Sequence, residues 1–492
     1  MVVRAFALLL AFAAGGAAAQ GSLLDAARNG DHATATALLA EHAEPNQTES
    51  DGTTPLHWAV HHDDAELVRS LLEAGAEVAV ANDYGATPMS EAAVAANVAV
   101  LQALLDAGAD VDSANADGQT ALMVVARGGN TAAAKLLIER GADVNARELR
   151  KGQTALMWAV AQSHTEMVDL LLANGAEVDA RSTANEWERM VTAEPRQKNL
   201  MPGGFTPLLY AARQGCLECA RSLIAAGAAV DLTDPDGVTP LISALLNAHF
   251  DTAKYLLEAG ANVNKWDFWG RTPLYLAVDF NTLPHGGRPD RLSLDDTTNL
   301  EMIDILLAAG ANPNAQLKLF PPYRSLRMDR GADSILDIGT TPLLRAARGA
   351  DVAAIERLVA AGALVDLPQR DGITPLMVAV GAGASSTDTR GKFRTELDAL
   401  ETTDALLAAG AALDEVDARG RTALHYAAGA GYTDVAKRLV EHGANLLAAD
   451  ADGVTPVDAA NGKLRGGRRG GGATHPATAE ALQSLLATTA AR

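Results

Sequence analysis

Aromatic residues and cysteines are scarce in this chain of 492 residues, which contains 4% aromatic side chains and two cysteines. The apolar share of 48% excludes wholesale disorder. Ala, Leu and Val supply most of that share, so many thin layers are favoured over one thick core. Because single cores stop growing near roughly 250–300 residues, we expect several domains or an elongated array.

Basic residues are also in deficit, with 40 Lys and Arg against 61 Asp and Glu and a formal net charge of −21. Nucleic acids and anionic lipids are bound through dense Lys and Arg side chains, so no nucleic-acid partner is expected. Beyond the N-terminus, no apolar run reaches the roughly 18 residues of a membrane span. We therefore expect a mature chain without a membrane-spanning helix.

The first nineteen residues have the pattern of a secretory signal peptide. Residues 1–4 carry one positive charge, residues 5–14 are apolar, and residues 17–19 are small. This pattern predicts cleavage after Ala19 and a periplasmic or secreted mature protein, with the Gram-negative periplasm as first choice. An uncleaved N-terminal anchor is the alternative.

A motif of Gly-x-Thr-Pro/Ala-Leu/Met recurs through the rest of the chain, with its Thr at positions 54, 87, 120, 154, 206, 239, 272, 341, 374, 422 and 455. Its basic period is 33 residues, and three intervals are much longer. Thr and Pro begin a first helix, and Gly75 or its equivalent ends a second one. Because such short helices are marginal alone, the sequence predicts an all-α repeat solenoid of about twelve stacked helix-turn-helix units.

These units resemble ankyrin repeats over nearly the whole mature chain. The closest matches are DGTTPLHWA at residues 51–59, GADVN at 141–145 and RTALHYAA at 421–428, and a degenerate opening unit covers 22–31. The resemblance implies hairpin fingers and a concave surface that binds other proteins; it does not imply catalysis. It also implies that His57 and His425 are structural hydrogen-bonding groups between repeats.

The period divides the chain into a signal peptide at residues 1–19 and a repeat array at 20–492. The repeats are expected near 22–50, 51–82, 83–116, 117–150, 151–202, 203–235, 236–268, 269–338, 339–370, 371–418, 419–450 and 451–492. The long intervals place finger inserts near 181–202 and 316–338, and helix-to-helix inserts near 281–299, 383–397 and 462–476. Inserts of this kind are either functional loops or tolerated ones.

Twelve of the twenty aromatic residues lie between positions 187 and 323. Aromatic side chains are enriched where binding energy concentrates, so this stretch is the predicted interface. One finger tip, KWDFWG at 265–270, carries three rings at turn positions expected to be exposed. The predicted partner-binding residues are Trp187, Lys265, Trp266, Phe268, Trp269, Phe320, Tyr323, Arg324 and Arg327. The alternative is that the rings pack on the neighbouring inserts as a local minicore.

Signatures of catalysis are missing from the sequence. It contains no His-Glu-x-x-His, Gly-x-Ser-x-Gly or phosphate-loop motif, so no catalytic residue, metal ligand or cofactor is predicted. Cys216 and Cys219 have the spacing of a redox or metal pair, yet no second pair or βαβ pattern accompanies them. This spacing can bring two Cα atoms near disulfide range, so a local disulfide or two buried thiols is expected.

Two classes of function follow from these observations. The leading hypothesis is a monomeric, non-catalytic scaffold or regulator that acts outside the cytoplasm and binds a partner protein through finger tips and concave face. The alternative is an enzyme or small-molecule-binding protein whose pocket is formed by the inserts around residues 187–323.

Overall fold

The computed structural model describes residues 22–185, 203–281, 293–319, 335–383, 395–464 and 472–490. Within these ranges the regular structure is helical, and one isolated bridge joins Ala184 to Gly203. The chain divides into two compact units, residues 1–150 and 151–492. No helix in the described ranges is long and apolar enough to cross a membrane.

The first unit consists, over residues 22–150, of four antiparallel helix pairs. Its helices are α1 (Leu23–Arg28), α2 (His32–Ala40), α3 (Pro55–His61), α4 (Ala65–Glu73), α5 (Pro88–Ala95), α6 (Val98–Asp106), α7 (Ala121–Gly128) and α8 (Thr131–Glu139).

The second unit repeats the same pairing over its described residues. Its helices are α9 (Ala155–Ala161), α10 (Thr165–Ala173), α11 (Pro207–Gln214), α12 (Leu217–Ala225), α13 (Pro240–Leu246), α14 (Phe250–Glu258), α15 (Pro273–Asn281), α16 (Asn299–Ala308), α17 (Pro342–Gly349), α18 (Val352–Ala360), α19 (Pro375–Ala379), α20 (Glu396–Ala408), α21 (Ala423–Ala430), α22 (Thr433–Glu441), α23 (Pro456–Ala460) and α24 (Pro476–Ala490).

Local hydrogen bonds explain why each pair begins and ends where it does. The Thr54 hydroxyl accepts the N–H of His57 at the start of α3, and Pro55 occupies the first helical position. At the start of α4 the carboxylate of Asp64 accepts the N–H of Leu67 at 2.9 Å. After α4, Gly75 adopts a φ of +92°, a left-handed conformation that stops the helix at little cost for glycine.

A buried histidine joins one pair to the next, as the resemblance implied. The N–H of Thr54 donates to Nδ1 of His57 at 3.2 Å, and Nε2 of His57 lies 3.0 Å from the carbonyl oxygen of Ala86 in the following pair. Burial lowers the pKa of His57, which favours the neutral form of the ring. His425 makes the same bridge to the Val454 carbonyl at 2.9 Å, so the predicted structural role of both histidines is confirmed.

Short polar side chains form hydrogen bonds between one connecting turn and the next. In the second unit, Asp231 accepts the N–H of Asn262 at 3.1 Å, and Asn264 accepts the N–H of Asn312 at 2.8 Å. The amide of Asn264 also donates to the Gly310 carbonyl at 2.9 Å. Each such bond satisfies a backbone group that would otherwise be unpaired at a turn. The finger tips are therefore held in fixed register with the helices behind them.

Candidate functional site

One finger of the second unit, residues 265–271, combines a rigid backbone with several aromatic side chains. The carboxylate of Asp267 accepts the N–H groups of Trp269 at 3.1 Å and Arg271 at 2.9 Å, which closes the turn. The N–H of Phe268 donates to the carbonyl of Asp236 on the preceding finger at 2.7 Å. The finger is thus fixed by its own carboxylate and by its neighbour.

A buried ion pair within this finger stabilises the turn. Nε of Arg271 lies 2.7 Å from Oδ2 of Asp267, and the two side chains are 9% and 0% exposed. The guanidinium of Arg271 also lies 5.0 Å from the centroid of the Trp269 ring, within range of a cation–π interaction. The Trp269 ring in turn meets Phe268 edge to face at 5.4 Å.

The three rings of this finger differ in exposure. Trp266 is 59% exposed, whereas Phe268 and Trp269 are half-buried. The expectation of three exposed rings is therefore wrong for Phe268 and Trp269, because the two rings pack on each other and Trp269 also packs on Arg271. The carbonyl of Trp269 also accepts the N–H of Lys318 at 2.9 Å, so the segment after α16 lies against the same turn.

We call Lys265, Trp266, Phe268, Trp269 and Arg271 the finger patch. Lys265 is half-buried, and its Nζ donates to the Asp231 carbonyl at 3.1 Å. The other residues predicted to bind a partner lie outside the described ranges: Trp187, Phe320, Tyr323, Arg324 and Arg327. Trp266 is thus the one predicted residue that the described structure presents as a mostly exposed ring.

A second cluster, which the sequence reasoning missed, lies at the first helices of the pairs that begin at Thr154 and Thr206. Phe205 and Tyr210 meet at a centroid distance of 5.4 Å, and the guanidinium of Arg213 lies within 6.0 Å of both rings. Nε2 of Gln153 donates to the Tyr210 hydroxyl at 2.6 Å. The repeat register contained a sequence signal for this cluster. Gln153 and Phe205 each precede a motif threonine, and Tyr210 follows its motif threonine by four positions.

Asp234 is a finger carboxylate in unfavourable electrostatic surroundings. It is 6% exposed, and burial raises its pKa to about 6, although its carboxylate accepts the N–H groups of Val238 and Asp236 at 2.9 Å. The carboxylates of Asp236 and Asp267 raise the pKa further. Val238 stands where Arg271 stands in the next finger, so within the described residues of its own finger Asp234 has no arginine to match the one that pairs with Asp267.

Replacing Asp234 with Asn is expected to raise the free energy of unfolding at pH 7.5 by about 1–3 kcal/mol. Between pH 4 and 6 the folded protein binds more protons than the unfolded chain, so the wild type loses stability as pH rises through about 6. The amide oxygen keeps the turn, as Asn82 and Asn115 do at equivalent positions. Urea unfolding at pH 4 and pH 7.5 measures the effect.

Asp450 provides the matched control for this pH dependence. It is equally buried, but the N–H groups of Val454 and Asp452 and the guanidinium of Arg421 outweigh that burial and lower its pKa. Asp450 therefore contributes stability that is present above pH 4 and lost in acid. Asp450→Asn is expected to destabilise the protein at pH 7.5; equal effects of the two variants would contradict this account.

The two cysteines lie at the beginning of α12. Cys216 occupies the capping position, Cys219 lies in the first turn, and the two are disulfide-bonded with Cα atoms 5.2 Å apart. In the described ranges no group of three or more His, Cys, Asp or Glu side chains is arranged to hold a metal ion.

Comparison with known proteins gives a consistent assignment. The family model described as "Ankyrin repeats (3 copies)" matches residues 23–115, 95–182, 188–267, 208–317 and 395–465. The human ASB11 ankyrin repeat domain, a crystal structure, is similar over 49% of this chain and 99% of its own, with 22% sequence identity and a TM-score of 0.40. No curated protein matches the sequence. Since the family model covers well over half of the residues, the chain belongs to the ankyrin-repeat family.

Proposed function

We propose that this protein is a non-catalytic scaffold or regulator that binds a partner protein through the finger patch. Ankyrin repeats are in general protein–protein interaction modules. In such repeats the helix pairs supply a rigid support, and the side chains at finger tips are available for recognition.

The observation that carries this proposal is the exposure of Trp266 on a fixed turn. A large ring that is 59% exposed gains much buried apolar area on binding, and tryptophan is among the residues most enriched at interface hot spots. The hydrogen bonds of Asp267 and Phe268 hold the turn before any partner arrives. Little conformational entropy is then lost when the ring is covered.

The net charge of the chain indicates which kind of partner surface is favoured. The chain has a formal net charge of −21, so a partner with a basic rim around an apolar pocket is favoured over an acidic one. The pocket would receive the Trp266 indole, while the surrounding basic groups would face the acidic repeat surface.

We further propose that the mature protein acts as a monomer outside the cytoplasm, in the periplasm or after secretion. The support is the charged, apolar and small-residue pattern of residues 1–19, together with a cysteine pair that an oxidising compartment would keep bonded. N-terminal sequencing of protein recovered from the periplasm tests this part; an N-terminus other than Gln20, or recovery only from the cytoplasm, would contradict it.

The partner-binding proposal is tested with the variant Trp266→Ala. A pulldown from cell-envelope extract is expected to retain a stoichiometric protein partner with the mature wild type. The affinity of the purified partner for the variant should fall about 30-fold or more, as measured by calorimetry. Because Trp266 is mostly exposed, the variant should unfold at the wild-type urea concentration.

Leu364→Ala is the matched control, since Leu364 is another exposed apolar side chain of the second unit, 57% accessible. It should bind the partner as the wild type does. If both variants weaken binding equally, the finger patch is not the interface. If no protein is retained, and a small molecule instead raises the melting temperature of the wild type, the protein-binding proposal is wrong.

A further inference from the structure

Cys216 and Cys219 lie where helix geometry distinguishes the two sulfur atoms. The N–H of Cys219 donates to Sγ of Cys216 at 3.2 Å, so the first sulfur atom caps α12 while the second lies inside its first turn. Cys216 retains 8% exposure, whereas Cys219 is completely buried. The hydroxyl oxygen of Thr165, at the start of α10, lies 4.0 Å from Sγ of Cys216 and 3.8 Å from that of Cys219.

The second helices of other helix pairs indicate which chemical form is stabilised at this capping position. Asp31, Asp64 and Asp351 occupy the corresponding position, and each carboxylate accepts the N–H three residues later at 2.9–3.0 Å. A helix N-terminus favours an anionic acceptor. The same N–H would therefore stabilise the thiolate of reduced Cys216, which is both the nucleophile and the leaving group of disulfide exchange.

The disulfide closes a short loop and is therefore expected to contribute little to stability. Only three positions separate the cysteines, and the stabilisation from a cross-link is smallest for the shortest loops. The helix start already holds both residues in one turn, and Cys219 is completely buried. Both redox states therefore suit the same backbone, which is the condition for reversible exchange in the folded protein.

We propose that Cys216 and Cys219 form a redox-active pair that exchanges its disulfide with thiols. The substrate thiol loses its proton, and its thiolate attacks Sγ of Cys216. The bond to Cys219 breaks, and Cys219 leaves as a thiolate that takes up the proton released by the substrate thiol. A second thiolate attacks the substrate sulfur of the mixed disulfide and releases Cys216. Two thiols are oxidised to one disulfide, and the protein pair gains two electrons and two protons.

Glutathione is the probe for this proposal. The folded wild type is equilibrated in mixtures of reduced and oxidised glutathione, alkylated, and analysed by mass spectrometry. We expect the reduced fraction to follow the glutathione ratio reversibly while the far-ultraviolet circular dichroism stays constant. Reduction that occurs only when helical signal is lost would overturn the proposal, because the bond would then be structural.

Two single variants test the distinction between the sulfur atoms. Cys219→Ser keeps the capping thiol and is expected to form a mixed disulfide with oxidised glutathione at least about tenfold faster than Cys216→Ser, whose remaining thiol is buried. Cys216→Asp with Cys219→Ala keeps a carboxylate cap and should be as stable as the reduced wild type, which confirms that the fold survives. Equal reaction rates for the two single variants would overturn the assignment of Cys216 as the exchanging sulfur.

Discussion

Leu171→Ala is expected to lower the free energy of unfolding by about 2–5 kcal/mol. Leu171 lies two residues before the end of α10 and is completely buried. The variant loses the transfer free energy of the removed carbon atoms and leaves a cavity that short, closely packed helices cannot easily close. Because each pair of a stacked array contacts only its neighbours, no distant part of the core can compensate.

Leu172→Ala is the control for Leu171→Ala, since the next residue is only half-buried on the same helix. Both substitutions remove the same atoms and have the same helix propensity, so their difference isolates burial. Urea unfolding followed by circular dichroism measures both. A cost below about 0.5 kcal/mol for Leu171→Ala would be inconsistent with a packed interface at this position.

The repeat fold could be read from the sequence because its determinants are local. Thr54, Pro55 and Gly75 act within a few residues of themselves through caps and a left-handed turn. The same short motif therefore marks each pair wherever it occurs. The bridging histidine was also predictable, since its partner Ala86 lies at a fixed distance of 29 positions.

The exposure of the finger patch could not be read in the same way. Whether a ring at a turn faces solvent depends on segments distant in sequence: Phe268 is held by Asp236, and Trp269 meets Lys318. The cluster of Phe205 and Tyr210 likewise depends on Gln153, which lies 57 positions from Tyr210. Composition placed Trp266 in the predicted interface region but did not distinguish its exposed ring from the half-buried rings of Phe268 and Trp269.

One neighbouring residue distinguishes two finger carboxylates that make the same turn. Asp234 and Asp267 make the same turn, with N–H donors two and four residues later. Only Asp267 has an arginine at the position before the motif threonine. The structure is therefore a natural comparison of a buried carboxylate with and without its cation.

Arg271→Ala is expected to cost about 3–5 kcal/mol of folding free energy, because it leaves the fully buried carboxylate of Asp267 without its counter-charge. The Trp269 ring would also lose its cation–π contact. Urea unfolding and the intrinsic tryptophan fluorescence of the folded state measure these two effects. By contrast, Lys437→Ala removes an exposed pair with Asp434 and should cost under about 1 kcal/mol.

A double-mutant cycle with Asp267→Asn separates the charge effect from lost packing. The amide oxygen can still accept the N–H groups of Trp269 and Arg271, so the double variant keeps the turn without burying a charge. We expect Arg271→Ala to cost at least about 2 kcal/mol less in this background than in the wild type. If the cost is the same in both backgrounds, Arg271 supports the finger by packing alone, and the ion pair adds nothing to the position of Trp266.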